Sequence, residues 1–147
     1  PEQMVATLAA AARGEPPEIV RRARHVLTET KRVGEAVAAL RAGNLERMGR
    51  LMNESHESLA RDFQCSTARL DQMVGIARAA GAFGARLTGA GFGGSIVALC
   101  RRDRAPGVID ALDREYYARI GRATSLDESR AVLRAGAGAG VTRVADL

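Results

Sequence analysis

Apolar residues recur with a helical period through the first half of the chain, and they predict three helices there. The first helix is predicted over residues 18–41, with one buried stripe formed by Ile19, Ala23, Val26, Leu27, Thr30, Val33, Val37 and Leu40. Gly43 is expected to end this helix, and Asn44 to cap a second helix that runs to about Phe63. A third helix is predicted over residues 67–80. Because the first link is short, the first two helices should be antiparallel neighbours.

Further along the chain the pattern changes from helical to alternating, which predicts a β-hairpin. Apolar residues alternate with small or polar ones over residues 83–88, as in a strand with one face on the core, and a partner strand is predicted over residues 95–101. An amphipathic helix is predicted over residues 103–120, followed by a last strand at 131–134. Helices packed on one face of an antiparallel sheet give an α+β fold, and the chain length fits a single domain over residues 1–147.

The two predicted hairpin strands are joined by a glycine loop, residues 89–94, which has glycine at four of its six positions. Glycine permits positive φ and has no Cβ, so successive backbone N–H groups can converge on an anion. The pattern is typical of a loop that faces a phosphate group. A hairpin corner that needs glycine only for tight packing explains the same residues, and the loop alone does not decide between the two.

Three well-known phosphate loops do not fit the context. Gly89-x-Gly91-x-x-Gly94 matches the dinucleotide fingerprint, but a strand-like segment at 95–100 follows where that motif requires a helix. The protein-kinase glycine loop requires a lysine on a later strand, and the only lysine of this chain is Lys31, upstream of the loop. A Walker A loop would end in Lys-Ser or Lys-Thr. The residues therefore fit either a phosphate loop of another kind or a hairpin corner that needs glycine only for tight packing.

Charge and composition exclude several function classes. The net charge is +5, but the arginines are scattered and only 3% of residues are aromatic, so we expect no nucleic-acid partner. No apolar run reaches the roughly 18 residues that span a bilayer, so a soluble, cytoplasmic protein without a membrane partner is expected. Cys65 and Cys100 lack metal-ligand spacing, which predicts reduced thiols and no metal site. His25 and His56 lie in predicted helices and are interpreted as structural residues.

Three segments of the chain carry a resemblance to a known family. The segment at 86–95, Arg-Leu-Thr-Gly-Ala-Gly-Phe-Gly-Gly-Ser, resembles the third conserved motif of the GHMP small-molecule kinases in the form found in galactokinases. Residues 21–26, Arg-Arg-Ala-Arg-His-Val, and residues 52–59, Met-Asn-Glu-Ser-His-Glu-Ser-Leu, are similar to two further galactokinase segments. The matches occur in the family's order and cover most of positions 19–101.

The resemblance implies a fold and a reaction. The fold would be the C-terminal domain of these kinases, a ferredoxin-like antiparallel sheet with helices on one face and additional N-terminal helices. The reaction would transfer the γ-phosphoryl group of ATP to the 1-hydroxyl of galactose, with magnesium neutralising the triphosphate. ATP and galactose would lie in a cleft completed by an N-terminal nucleotide and sugar domain, on which this chain packs. That domain is absent from the chain, so no catalytic residue is assigned here and the chain alone should be inactive.

The family motif also implies which residues face the nucleotide. The cofactor-binding set carried over from the motif is Thr88, Gly89, Ala90, Gly91, Phe92, Gly93 and Gly94. Thr88 is the candidate for a hydroxyl contact near the transferred phosphoryl group or the sugar. Arg86 is expected to pair with a carboxylate that holds the loop in place.

The chain also departs from the family pattern. Around residues 61–71 it reads Arg-Asp-Phe-Gln-Cys-Ser-Thr-Ala-Arg-Leu-Asp, without the tyrosine, proline and two acidic residues that galactokinases commonly have there. Ser66 or Thr67 can still cap the helix that follows. Two alternatives to a galactokinase are also retained: a non-catalytic, galactokinase-like sugar sensor or regulatory interaction protein, and another GHMP small-molecule kinase.

Overall fold

The computed structural model describes residues 14–121 and 131–133. Its regular elements in chain order are α1 (Pro17–Arg41), α2 (Leu45–Ser58), α3 (Ala68–Ala79), β1 (Gly84–Thr88), β2 (Ser95–Leu99) and α4 (Ala105–Leu112). A π-helical turn, Leu59–Phe63, continues α2, and short π and 3-10 turns carry the chain from α4 to Ile120. The four predicted helices and the predicted hairpin are confirmed, with small shifts at their ends.

Side-chain caps begin two of the helices, as the sequence predicts. The Asn44 side chain accepts a hydrogen bond from the Arg47 amide at 2.9 Å, and the Thr67 hydroxyl accepts one from the Leu70 amide at 3.3 Å. The π-helical turn ends at Gln64, which has a left-handed backbone with φ of 62°. The chain thus turns sharply between α2 and α3, and this turn lies beside the glycine loop.

The sheet of the described residues is an antiparallel pair. Gly84 lies opposite Leu99 and Thr88 opposite Ser95, so the glycine loop closes the hairpin directly after the last pair. Helices α3 and α4 pack together, and α3 packs on the sheet, around a core of Met73, Val74, Ala77, Ala85, Val108, Leu112 and Tyr116. A second buried cluster lies toward the loop and consists of Leu59, Cys65, Leu70 and Leu87. The α+β class with antiparallel pairing and additional N-terminal helices is confirmed.

Helix α2 closes the edge of β1 that faces away from β2. The Ala85 amide donates to Asn53 Oδ1 at 3.0 Å, and the Leu87 amide donates to His56 Nδ1 at 3.3 Å. A Cβ on Gly84 would lie 2.0 Å from the Gly49 carbonyl oxygen, so helix and strand meet backbone to backbone. One turn of α2 therefore satisfies strand donors that a third strand would otherwise take.

The predicted buried stripe of the first helix is wrong for five of its large members, whereas Leu27 is half-buried. In the described part of the chain, five large apolar residues of this stripe are each between 43% and 62% exposed: Ile19, Val26, Val33, Val37 and Leu40. Helix α1 instead packs on α2 and the π-helical turn through a polar and small-residue face that includes His25, Glu29 and Ala39. The helical period was predicted correctly, but the apolar stripe does not face this domain's own core.

The predicted last strand is also not observed. Residues 131–133 are described and irregular, and residue 134 lies outside the described ranges. They line a groove of about 680 Å³ between β2 and α4. No helix among residues 14–121 and 131–133 is long and apolar enough to cross a bilayer.

Candidate functional site

The glycine loop has a backbone that ordinary side chains rarely adopt. The φ angles of Gly89, Gly91, Gly93 and Gly94 are 83°, 83°, 140° and 89°. Phe92 shares the left-handed region with φ of 58°, although it has a side chain. A non-glycine residue in this region costs of order 1–3 kcal/mol and is kept only where the surroundings enforce it. The loop is therefore held in its conformation by specific contacts.

Those contacts come from Cys65, the residue that follows the left-handed Gln64. The Phe92 amide donates to the Cys65 carbonyl oxygen at 2.6 Å. A Cβ on Gly91 would lie 2.5 Å from the same oxygen and 2.8 Å from the Cys65 Cβ, closer than atoms can approach. Glycine at 91 is thus required for tight packing. At this position, therefore, the packing explanation from the sequence applies.

The other glycines of the loop face open space. A Cβ on Gly89, Gly93 or Gly94 would have no atom within 4 Å in the described structure. Of the six amides from Gly89 to Gly94, only that of Phe92 has a hydrogen-bond partner among residues 14–121 and 131–133. The loop therefore has one side that packs on Cys65 and one side that presents bare amide donors. Bare amides in a positive-φ turn are donors suited to an anion.

Thr88 and Phe92 are both exposed at the hairpin tip. Thr88 ends β1 and is exposed, so its hydroxyl is accessible next to the loop. Phe92 is 74% exposed, the largest value for an aromatic residue in the described part of the chain. The ring of Phe92 thus remains exposed although its backbone is strained. It is an apolar surface that no described residue covers. Ala90, the remaining predicted site residue, is also exposed.

Burial keeps the thiol behind the loop neutral. Cys65 is 2% exposed, and this burial raises the pKa of its thiol. Both cysteines are free, and Cys100 lies at the far end of β2 with its pKa also raised by burial. Neither cysteine is a thiolate near neutral pH, and Cys65 acts as a packing residue. Sequence reasoning did not assign this role, because the Cys65 to Gly91 contact depends on how two distant turns meet.

Arg86 pairs with a carboxylate, as expected from the sequence, and the carboxylate is Glu29 of α1. The Arg86 Nη1 to Glu29 Oε2 distance is 3.7 Å, and the Arg86 Nε–H also donates to the Leu87 carbonyl at 3.0 Å. Glu29 further accepts hydrogen bonds from Arg32 and from Ser55 at 2.9 Å. Burial would raise the pKa of Glu29, but these hydrogen bonds and the two guanidinium charges outweigh it, so the pKa is lowered. The pair ties β1 to α1.

Both histidines are buried and hydrogen-bonded, which confirms their structural interpretation. His25 Nδ1 lies 3.0 Å from Ser58 Oγ, and Ser58 in turn donates to Asp62 at 3.1 Å. Since the Ser58 proton is committed to Asp62, His25 donates to Ser58. Burial lowers the pKa of His25. With Glu29, Arg32 and Ser55, these groups form what we call the α1–α2 interface.

His56 lies closer to the loop and has a defined tautomer. Its Nδ1 accepts from the Leu87 amide, so the neutral ring carries its proton on Nε2, which donates to Asp71 Oδ1 at 3.1 Å. Ser66 donates to the same oxygen at 2.5 Å. Sequence reasoning identified His56 as structural but did not identify its partners. The only available signal was the Ser-His pair inside the second segment that resembles galactokinases.

Comparison with known proteins decides the family. A family model described as the C-terminal region of GHMP kinases matches residues 36–119. The chain belongs to the GHMP kinase C-terminal family. Members of this family are ATP-dependent kinases, and they usually use magnesium. The matched range includes the glycine loop, Cys65 and the whole of the sheet.

Two solved structures show how much of such a kinase the chain represents. Lactococcus lactis galactokinase complexed with galactose is 38% identical with a TM-score of 0.68, over 74% of this chain and 28% of that chain. L. major mevalonate kinase in complex with R-mevalonate is 28% identical with a TM-score of 0.61, over 78% of this chain and 34% of that chain. The chain thus spans about a third or less of the length of these two GHMP kinases.

Proposed function

We propose that this chain is the C-terminal domain, over residues 1–147, of an ATP-dependent galactokinase. Further polypeptide would supply the N-terminal domain with the sugar site and the catalytic residues. The chain would form one wall of the cleft in which the γ-phosphoryl group of ATP passes to the 1-hydroxyl of galactose. The galactokinase assignment draws support from the 38% identity to the Lactococcus lactis enzyme and from the three motif segments.

One observation supports the proposal above all others: the open side of the glycine loop. The amides of Gly89, Gly93 and Gly94 have no hydrogen-bond partner among the described residues, and a Cβ added at any of these glycines would have no atom within 4 Å. Such a cradle fits the oxygens of a phosphate group, which accept hydrogen bonds from converging amides. We assign these amides to the phosphate end of ATP, and the exposed Thr88 hydroxyl to the transferred phosphoryl group or the sugar.

The role of the chain's own residues in the reaction is binding and orientation. Phosphoryl transfer disperses negative charge over the phosphate oxygens, and donors fixed in advance stabilise that charge without reorganisation. The Cys65 contact fixes the loop, so its donors would already be in place. Magnesium, when bound with ATP, would neutralise the triphosphate. No group of three metal-ligating side chains occurs within residues 14–121 and 131–133, so we assign no residue of the chain to it.

The exposed apolar stripe of α1 supports a further domain in the complete protein. Its five large residues form a continuous line at heptad-like spacing, and an apolar line of this kind is normally covered. We propose that the N-terminal domain of the kinase covers part of it. The same reasoning applies to the exposed Phe92 ring, which we propose contacts the N-terminal phosphate loop.

An assay on the complete gene product tests the proposal. ATP turnover is measured with galactose, N-acetylgalactosamine, mevalonate and homoserine as acceptors. Galactose is expected to be phosphorylated with the highest kcat/KM. A higher value for mevalonate would reassign the protein within the family, and no turnover with any acceptor would favour the regulatory alternative.

A further inference from the structure

We infer that Asp71 is a positioning residue for the glycine loop, acting through His56 and Ser66. None of these three residues belongs to the loop, and the inference deepens the proposed function because it names what holds the phosphate-facing amides in place. A series of hydrogen bonds, together with the Cys65–Ser66 peptide bond, runs from the strand before the loop through Asp71 to the loop itself.

The first half of the set fixes the end of β1. The Leu87 amide donates to His56 Nδ1 at 3.3 Å, one residue before Thr88 and two before Gly89. Leu87 is 1% exposed and His56 is 6% exposed, so solvent offers this amide no alternative partner. The opposite ring nitrogen, Nε2, donates to Asp71 Oδ1 at 3.1 Å. Asp71 therefore holds the imidazole in the tautomer that the strand requires.

The second half fixes the turn behind the loop. Ser66 donates to the same Asp71 oxygen at 2.5 Å, and Ser66 is covalently joined to Cys65. The Cys65 carbonyl accepts the Phe92 amide at 2.6 Å, and its side chain fills the space beside Gly91. Two points of the hairpin tip, Leu87 just before the loop and Phe92 within it, are thus linked to the same carboxylate oxygen of Asp71.

The exposure of Asp71 makes the inference testable without unfolding the protein. Its side chain is 51% exposed, whereas that of His56 is 7% exposed. Replacement of a half-exposed carboxylate leaves no cavity and no buried charge, so the fold should be retained. A residue that served only to stabilise α3 would have no effect on the loop. Asp110 of α4 is a matched control, because it is an exposed aspartate on a helix away from the loop.

The test measures amide hydrogen exchange in the complete protein without substrate. In Asp71→Ala we expect the Phe92 amide to exchange about tenfold faster, the size expected for loss of a hydrogen bond to a charged group. Asp110→Ala should leave that rate unchanged. Asp71→Asn keeps an oxygen that can accept from both His56 and Ser66, so it should restore most of the protection. An unchanged Phe92 rate in Asp71→Ala, or an equal loss in Asp71→Asn, would overturn the inference.

A kinetic measurement separates this inference from the proposed function. In Asp71→Ala the KM for ATP should rise about tenfold while the KM for the sugar stays the same, because the loop faces the nucleotide. Equal increases in both constants would contradict the assignment of the network to the ATP side. If the wild-type protein has no kinase activity, the proposed function fails, and the exchange experiment still decides whether Asp71 positions the loop.

Discussion

The glycine loop and the α1–α2 interface are both built from polar groups, but they use them in opposite ways. At the interface, His25, Glu29, Arg32, Ser55 and Ser58 pair with one another or with Asp62 and Arg86. In the loop, five of six amides have no partner within residues 14–121 and 131–133. A buried polar group without a hydrogen-bond partner lowers the free energy of unfolding, so the pairing at the interface stabilises the fold. The residues that carry the loop's unpaired donors are exposed or half-buried, so we expect these donors to be available to a ligand.

The contrast extends to two neighbouring glycines in the loop. Gly91 packs against Cys65 and belongs, in this sense, to the structural part of the molecule. Gly93 has an equally unusual backbone but faces open space. Alanine at these two positions should therefore have the largest effects, one mainly on stability and the other mainly on activity.

Replacement of Gly91 by alanine should mainly reduce stability. The added Cβ would meet the Cys65 carbonyl oxygen at 2.5 Å and would sit on a positive-φ backbone. Overpacking and backbone strain together should lower the free energy of unfolding by about 2–4 kcal/mol, measured by urea denaturation. A loss below about 0.5 kcal/mol, the size of an ordinary surface change, would mean that the Cys65 contact is not tight.

Replacement of Gly93 by alanine should mainly reduce activity. No atom obstructs the new Cβ, so the loss of stability should stay near the roughly 1 kcal/mol cost of backbone strain. The methyl group would enter the space assigned to the phosphate, and a displacement of this kind costs on the order of 100-fold in kcat/KM. Steady-state kinetics of the complete kinase provide the measurement. Full activity in a folded Gly93→Ala variant would remove Gly93 from the phosphate site.

Replacement of Glu29 by alanine should destabilise the α1–α2 interface without a specific effect on ATP. Arg32, Ser55 and Arg86 would each lose an acceptor, which should cost about 1–3 kcal/mol of unfolding free energy. Glu57→Ala is the control, because Glu57 is an exposed glutamate of α2. The two variants are compared by thermal or urea unfolding. Equal stability of the two would show that the interface pairing contributes nothing.

The α1–α2 interface should also make stability dependent on pH. Burial lowers the pKa of His25 in the folded protein, so the unfolded chain binds the proton more readily. Stability should therefore be full above the unfolded value of about 6.5 and fall as the pH decreases below it. The pKa of Glu29 is also lowered, which adds a further loss of stability below about pH 4.5.

His25→Gln isolates the histidine contribution. The amide retains hydrogen-bonding capacity but does not titrate, so the slope of unfolding free energy between pH 7 and 5 should become smaller than in the wild type. The experiment is a set of denaturant curves at several pH values. An unchanged slope would assign the acid sensitivity to another group.

The sequence predicted the elements better than their packing. Periodicity located α1 to α4, and alternation located β1 with Ala85 and Leu87 buried. Asn44 was predicted as a cap, and of the two candidates Ser66 and Thr67 the structure selects Thr67. It failed for the apolar stripe of α1, because hydrophobic periodicity shows which face is apolar but not which part of a protein covers it. The same limit applies to the last strand, which residues 131–133 do not form.

The candidate site was predicted only in part. The glycine spacing and the family resemblance located the loop, and Arg86 was expected to pair with a carboxylate. The contacts that shape the loop join residues far apart in sequence: 15 residues separate His56 from Asp71, 27 separate Cys65 from Phe92, and 31 separate His56 from Leu87. Such contacts follow from tertiary packing, and local pattern carries no information about them.

The most direct test of the central claim is an amide chemical-shift titration of the complete protein with magnesium and ATP. If the open side of the loop holds the phosphates, the amide resonances of Gly89, Gly93 and Gly94 will shift most, while those of the α1–α2 interface around Ser55 and Ser58 will not. Saturation of the protein with ATP without any shift at these three glycines would contradict the account.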